Sequence, residues 1–161
     1  MMQEVKIKKL TAQDIAIFDT VCQWHYHWWG KRDGFTLEQV MAYVKHSVCE
    51  NRVPQTFVAL LADEPVGMYQ FLMYDNLIHR PDIYPWIGNV FVAEAYRGQG
   101  ISQELMRSVE KYAKAVNLET LFLYTDMEGF YEKFGWVFVD MIETFREKSP
   151  YERLYKLDIK K

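Results

Sequence analysis

Asn89-Val90-Phe91-Val92-Ala93-Glu94-Ala95-Tyr96-Arg97-Gly98-Gln99-Gly100-Ile101-Ser102 is the stretch on which the reading of the fold turns. Its first four residues read as a strand, while from Ile101 apolar residues recur at helical spacing through Leu105, Met106, Val109, Tyr112, Ala113 and Val116. Between the two, Gly98 and Gly100 flank Gln99, so the backbone can turn sharply and leave several N–H groups pointing outward. The helix adds its own unpaired N–H groups and the positive end of its dipole. The stretch is an anion cradle, and a phosphate or pyrophosphate is its natural occupant.

Upstream, Trp86-Ile87-Gly88 opens the same strand, and a glycine inside a strand predicts a bulge or a close approach to the backbone. Thr56 to Ala62 and Val66 to Met73 are β-branched and aromatic runs joined by Asp63-Glu64-Pro65, which predicts an antiparallel hairpin. A long loop follows from Tyr74 to Pro85. Nearer the N-terminus, Val5 to Leu10 alternates apolar and polar residues as a half-buried strand should. Thr11 is the expected N-cap of a first helix that places Ile15, Phe18 and Cys22 on one face and runs into Trp24-His25-Tyr26-His27-Trp28-Trp29-Gly30. Thr36 with Gln39 predicts a capping box on a second helix reaching about Val48.

Downstream, Leu118 to Tyr124 reads as a fifth strand, which a strand-helix-strand unit of this length sets parallel to the fourth. Asp126 to Trp136 predicts a short helix stopped by Gly135, followed by an antiparallel pair over about 137–144 and 152–159. The expected fold class is α/β, an α+β arrangement on a mixed sheet, in the order β-α-α-β-β-β-α-β-α-β-β and in a single domain, 1–161.

Bulk properties limit the function. The chain has 161 residues, half of them hydrophobic and a quarter charged, enough to bury a core. A net charge of −3 with scattered Lys and Arg gives no field for nucleic acid or an anionic membrane. Cys22 and Cys49 lack partners at metal-ligand spacing, so two buried free thiols are expected and no metal. With no signal-peptide region at the start and no apolar run near the ~20 residues of a membrane span, a cytoplasmic location is expected.

Arg97-Gly98-Gln99-Gly100-Ile101-Ser102 resembles the Arg/Gln-x-x-Gly-x-Gly/Ala acyl-CoA-binding signature of the GNAT superfamily of N-acetyltransferases. Gly129-Phe130-Tyr131-Glu132-Lys133-Phe134-Gly135-Trp136 resembles that superfamily's second signature, and the order of elements is similar over essentially the whole chain. Two departures stand out: Ser102 fills a slot where Gly or Ala is usual, and Thr125-Asp126 stand where related enzymes often carry an asparagine. A Rossmann site fits less well, because its third glycine would fall at Gln103.

The resemblance implies an enzyme that moves an acetyl group from acetyl-CoA to an amine by direct transfer in a ternary complex. It assigns the pyrophosphate to Arg97, Gly98, Gln99, Gly100, Ile101 and Ser102, and the pantetheine to strand backbone at Val90, Phe91 and Val92. A backbone N–H near Asn89 or Val90 would meet the developing oxyanion, and Tyr131 would protonate the departing thiolate. The acceptor side would be lined from Trp24 to Trp29 and from Asn76 to Trp86, with Trp24, Trp28, Trp29, Asp82, Trp86 and Asn89 as substrate contacts. Asp75, Asp82 and Asp126 could guide the amine, with His25, His27 or His79 as relays. An aromatic wall beside acidic groups suits a cation or a flat amphipathic amine. The runner-up acceptor is a protein or peptide amino group, the rival from another class is a non-catalytic acyl-CoA sensor, and a homodimer is compatible with all three.

Overall fold

The computed structural model describes residues 3–75 and 77–159, so Asn76 of the proposed acceptor lining lies outside the described residues. Seven strands hydrogen-bond in the order β1-β2-β3-β4-β5-β7-β6. The chain groups into two compact units, one ending its first segment at Phe71 and taking in Asn89–Leu105, the other comprising Leu72–Gly88 and the chain from Met106 onward.

In the first unit β1 (Val5–Lys9) runs antiparallel to β2 (Gln55–Leu61), with Val5 opposite Leu61 and Lys9 opposite Phe57. The expected hairpin joins β2 to β3 (Glu64–Leu72), but its turn is Ala62-Asp63, both with positive φ, and Pro65 lies inside β3 opposite Leu60. Two left-handed residues match the twist of the flanking strands, so a two-residue turn closes the pair more tightly than the proline suggested. α1 (Ile15–His25) begins later than Thr11 predicts. The Asp14 carboxylate takes the Thr11 N–H at 2.8 Å, the Thr11 hydroxyl at 3.0 Å and the Lys8 ammonium at 2.7 Å. A charged acceptor with three donors outcompetes a lone hydroxyl, and Asp14 becomes the residue at the cap. α2 (Leu37–His46) carries the predicted capping box, Gln39 N–H donating to the Thr36 hydroxyl at 3.2 Å and Thr36 N–H to Gln39 Oε1 at 2.9 Å.

The core of this unit is Leu10, Val21, Cys22, Val40, Val44, Val58 and Met68, with Phe18, Trp24, Tyr43 and Phe91 packed against it. Both cysteines are free, but only Cys22 is buried, Cys49 being half-buried; burial pushes the Cys22 thiol up to about 11, with Asp19 adding to the shift. β4 (Trp86–Val92), a 3-10 turn at Glu94–Tyr96 and α3 (Ile101–Ala115) supply the strand, connection and helix read from the sequence. The predicted irregularity in β4 falls one residue after Gly88, at Asn89, whose φ is +53°. Gly88 instead allows close packing: a Cβ there would stand 2.9 Å from Leu72 Cδ1.

The second unit contains β5 (Thr120–Thr125), which runs parallel to β4 with Trp86 opposite Phe122, as expected. β7 (Tyr151–Asp158) inserts antiparallel between β5 and β6 (Val137–Glu143), pairing Leu123 with Tyr155 on one side and Tyr155 with Phe138 on the other. The expected fourth helix shrinks to a 3-10 turn, Tyr131–Phe134, which Gly135 stops with a φ of +90°. Among the described residues no helix is long and apolar enough to cross a membrane.

Gly67 on β3 faces the end of β4 and the first turns of α3: a Cβ there would lie 2.8 Å from the Phe91 carbonyl oxygen, 3.4 Å from Ile101 Cγ2 and 3.5 Å from Leu105 Cδ1. The nearest atom is backbone and cannot swing aside. Gly67→Ala should therefore destabilise the fold by about 1–3 kcal/mol through overpacking, read as a lower urea midpoint at unchanged slope, and a midpoint equal to wild type would disprove the close approach.

Candidate functional site

The glycine turn takes the form its sequence predicts. Gly98 and Gly100 have φ of +79° and +80°, a region that suits glycine, and a Cβ built on either would meet no atom within 4 Å. The helical ladder of α3 begins with Glu104 N–H donating to the Gly100 carbonyl at 3.3 Å, so the N–H groups of Ile101, Ser102 and Gln103 precede it. Ile101 is buried and anchors the helix, while Gly98, Gln99 and Gly100 are exposed and Ser102 is partly so. Free N–H groups, an open concave turn and the helix dipole act on the same space, and that chemistry fits a phosphate.

Arg97 has a second occupation. Its Nε donates to the Val92 carbonyl at 2.9 Å, and its guanidinium stands 4.9 Å from the centre of the Trp28 ring and 5.7 Å from that of Phe91. The arginine ties the end of β4 to the aromatic segment by a hydrogen bond and two cation–π contacts. That segment leaves α1 through a π-helical turn, Tyr26–Gly30, in which Lys31 N–H reaches five residues back to the Tyr26 carbonyl at 2.8 Å. Gly30 lets the turn pass close over α2, since a Cβ there would be 2.7 Å from Val40 Cγ2. The extra residue per turn fans the tryptophans around one ring: Trp24, Trp28 and Trp29 have centroids 5.3, 5.5 and 6.1 Å from Phe91. Trp28 keeps half of its surface exposed. The first unit thus brings together Trp24, Trp28, Trp29, Phe91, Val92 and Arg97, and Asn89 and Val90 lie on the same strand.

Tyr131, Trp86, Asp75, Asp82, Asp126 and His79 belong to the second unit. Tyr131 is 7 % exposed and packs edge-on against Phe130 and Trp136. Burial, with the negative charge of Asp126 adding to it, raises the phenol far above its ordinary value, so it stays protonated. Among the described residues no group hydrogen-bonds its hydroxyl. Trp86 does not line a wall: it is 1 % exposed, donates its indole N–H to the Ile83 carbonyl at 2.8 Å and packs against Phe122 and Tyr124. Its ring is core, because β4 is still buried at its first residue. Asp82 is exposed and holds Arg80 through both carboxylate oxygens, at 3.0 and 2.8 Å. Asp75 accepts from Leu77 N–H at 2.9 Å and from the Tyr124 hydroxyl at 3.2 Å. His79 is exposed beside Phe145. In the first unit, His27 is exposed beside Gln23 Oε1.

The sequence reading passed over Gln70, Thr56, Ser47 and Tyr43, which hydrogen-bond in a chain ending at Asn89. The available signal was a lone carboxamide inside Val66-Gly67-Met68-Tyr69-Gln70-Phe71-Leu72, since a buried amide needs partners.

The fold, the signature turn and the sequence together identify the class. The model of the acetyltransferase (GNAT) family matches residues 17–136, and the chain belongs to that family. No curated protein matches it by sequence. Among solved structures, an aminoglycoside 6'-N-acetyltransferase complexed with coenzyme A is similar with a TM-score of 0.76 at 14% identity, covering 97% of this chain and 98% of that one. Ard1 from Thermoplasma volcanium is similar at 0.71 and 15% identity, covering 98% and 99%. A GNAT family acetyltransferase from Elizabethkingia anophelis with acetyl-CoA bound is similar at 0.67 and 18%, covering 96% and 97%. At these identities the likeness is one of fold.

His25 sits under the aromatic segment, 5.2 Å from the Tyr43 ring and 5.6 Å from the Trp29 ring, and its buried Nδ1 has no hydrogen-bond partner among the described residues. Burial lowers its pKa to about 4, against weaker upward pulls from its own backbone and Asp33. The unfolded chain therefore binds the proton first, and stability present above the ordinary histidine value of about 6.5 is lost as pH falls toward 4, at up to about 1.4 kcal/mol per unit. His25→Phe keeps the ring and removes the titration. Unfolding free energy measured from pH 8 to pH 4 should fall less steeply in the variant, and parallel curves would remove His25 as the cause.

Proposed function

We propose that the protein is an acetyl-CoA-dependent N-acetyltransferase that passes an acetyl group directly to the amine of a small molecule, acting as one GNAT-like domain, 1–161, in the cytoplasm. The observation that carries this reading is the open turn at Gly98 and Gly100 at the head of α3, in a chain of the GNAT family. Bound acetyl-CoA supplies an activated thioester and a thiolate leaving group. In this reading the N–H groups from Gly98 to Ser102 hold the pyrophosphate, and β4 backbone at Val90, Phe91 and Val92 pairs with the pantetheine. The Val92 carbonyl already accepts from Arg97 Nε, and its second lone pair remains for a pantetheine N–H.

The amine is oriented at the left-handed residue Asn89, next to the backbone N–H that meets developing negative charge. Tyr131 supplies the proton to the leaving sulfur, a role its uncommitted and persistently protonated phenol supports. Trp28, half exposed and stacked on Arg97, with Trp24 and Trp29 behind it, offers a flat apolar wall to the body of the amine. A small-molecule acceptor is favoured by that wall and by the likeness to the aminoglycoside 6'-N-acetyltransferase. The reading calls on no metal, nucleic acid or membrane.

Thiol release from acetyl-CoA with kanamycin, spermidine, tryptamine and an unblocked tripeptide tests the reading. Turnover on one of the first three is expected, and Tyr131→Phe should lower kcat about 100-fold with little change in the KM for acetyl-CoA. Turnover on the tripeptide alone would move the acceptor to peptides, tight binding with no turnover would support a sensor, and no acetyl-CoA binding at all would refute the proposal.

A further inference from the structure

A chain of buried hydrogen bonds crosses the first unit and has only one direction in which its protons can run. Ser47 Oγ donates to the Val44 carbonyl at 2.6 Å, and a carbonyl can only accept. With its one proton committed, Ser47 must accept at its 2.6 Å contact with Thr56 Oγ1, so Thr56 is the donor there and its proton is committed too. Gln70 Nε2 lies 3.2 Å from Ser47 Oγ and 2.9 Å from Thr56 Oγ1. Neither hydroxyl has a proton left, so the carboxamide of Gln70 must present its NH2 to them and its oxygen to the other side. That oxygen accepts from Asn89 Nδ2, which also reaches the Tyr43 hydroxyl at 3.4 Å.

Ser47, Thr56 and Gln70 are each at most 1 % exposed, so water cannot substitute for any link. Asn89 is half-buried, and its φ of +53° holds the side chain out of the regular alternation of β4. Once its NH2 is turned to Gln70, its Oδ1 faces the opposite side, and among the described residues no group donates to that oxygen. A carboxamide on a strand can ordinarily flip to suit either a donor or an acceptor. This one cannot.

We infer that Gln70 is a positioning residue that fixes Asn89 with Oδ1 presented as a hydrogen-bond acceptor, so the group bound there must bring an N–H: an amine or ammonium that carries at least one hydrogen on nitrogen, not a quaternary ammonium. The inference deepens the proposed function and rests on its placing the acceptor amine at Asn89. It assigns Gln70, Ser47 and Thr56 to substrate selection although they touch no substrate.

The test avoids turnover by using coenzyme A, the product, in place of acetyl-CoA. Tryptamine and its N,N,N-trimethyl ammonium analogue, alike in ring and charge but differing in N–H, are titrated into the coenzyme A complex while the side-chain amide protons of Asn89 and Gln70 are followed by NMR. In wild type both amide pairs should exchange slowly, and tryptamine should bind about tenfold more tightly than in Gln70→Leu, the scale of one hydrogen bond to a charged group. The trimethyl analogue should bind wild type and Gln70→Leu equally. Gln70→Glu, held neutral by burial, can donate to Thr56 and accept from Asn89, and should restore tryptamine binding. Equal tryptamine affinity in wild type and Gln70→Leu, or an equal loss for the trimethyl analogue, overturns the inference. Coenzyme A affinity unchanged across the variants separates this selection from general unfolding. Absence of thiol release from acetyl-CoA with every amine would count against the proposed transfer alone, since the amide signals and the tryptamine titration need no catalysis.

Discussion

The first unit depends on a backbone contact that a single methyl group would prevent. With no side chain at Gly67, the end of β4 and the first turns of α3 come down onto β3, where Phe91 O, Ile101 and Leu105 would otherwise meet a Cβ. Phe91 is then held where three tryptophans can reach it, and Arg97, immediately after the 3-10 turn at Glu94–Tyr96, can reach back to the Val92 carbonyl. Close-packed interiors transmit such constraints because they contain few voids in which a displaced group could be absorbed. The glycine turn that draws the eye in the sequence is thus placed by a quieter glycine on a different strand.

The aromatic segment shows how one extra residue in a helical turn redistributes side chains. An uninterrupted α-helix would carry Trp24 and Trp28 on one face and swing Trp29 away by about 100°. The π-helical turn at Tyr26–Gly30 lets all three converge on Phe91 while Trp28 stays half exposed. His25, at the junction, is left with a buried ring nitrogen that no group among the described residues satisfies. The local cost falls at the junction, and the gain is a half-exposed Trp28 ring over which the Arg97 guanidinium sits.

Elements written in period and punctuation were legible. The alternation in β1, the helical spacing of α3, the capping box at Thr36 and the stop at Gly135 each follow from local chemistry that tertiary contacts did not need to override. Errors arose where a stronger partner lay off the pattern. Asp14 displaced Thr11 because a lysine on the preceding strand joined it; of the two readings of Gly88 the close approach holds, while the bulge gives way to a left-handed residue at Asn89, since asparagine tolerates that region. At the candidate site, the glycines, Arg97 and the tryptophan segment could be read directly. Trp86 could not be separated from the wall tryptophans by residue type, because only burial distinguishes a core indole from a lining one. The Ser47–Thr56–Gln70 chain was invisible for another reason: its members lie on α2's end, β2 and β3, and nothing in sequence spacing pairs them.

That chain also bears on how the sequence can change. Each link fixes the donor and acceptor sense of the next, so a replacement that reverses polarity at one position leaves a buried clash of two donors or two acceptors unless its neighbours reverse as well. Positions 47, 56, 70 and 89, separated along the chain by as many as forty-two residues, behave as a single four-letter word rather than four independent letters. A reversal of the hydrogen-bonding sense at Asn89 is therefore reached by rewriting the word whole, which makes that sense slow to drift and abrupt when it changes.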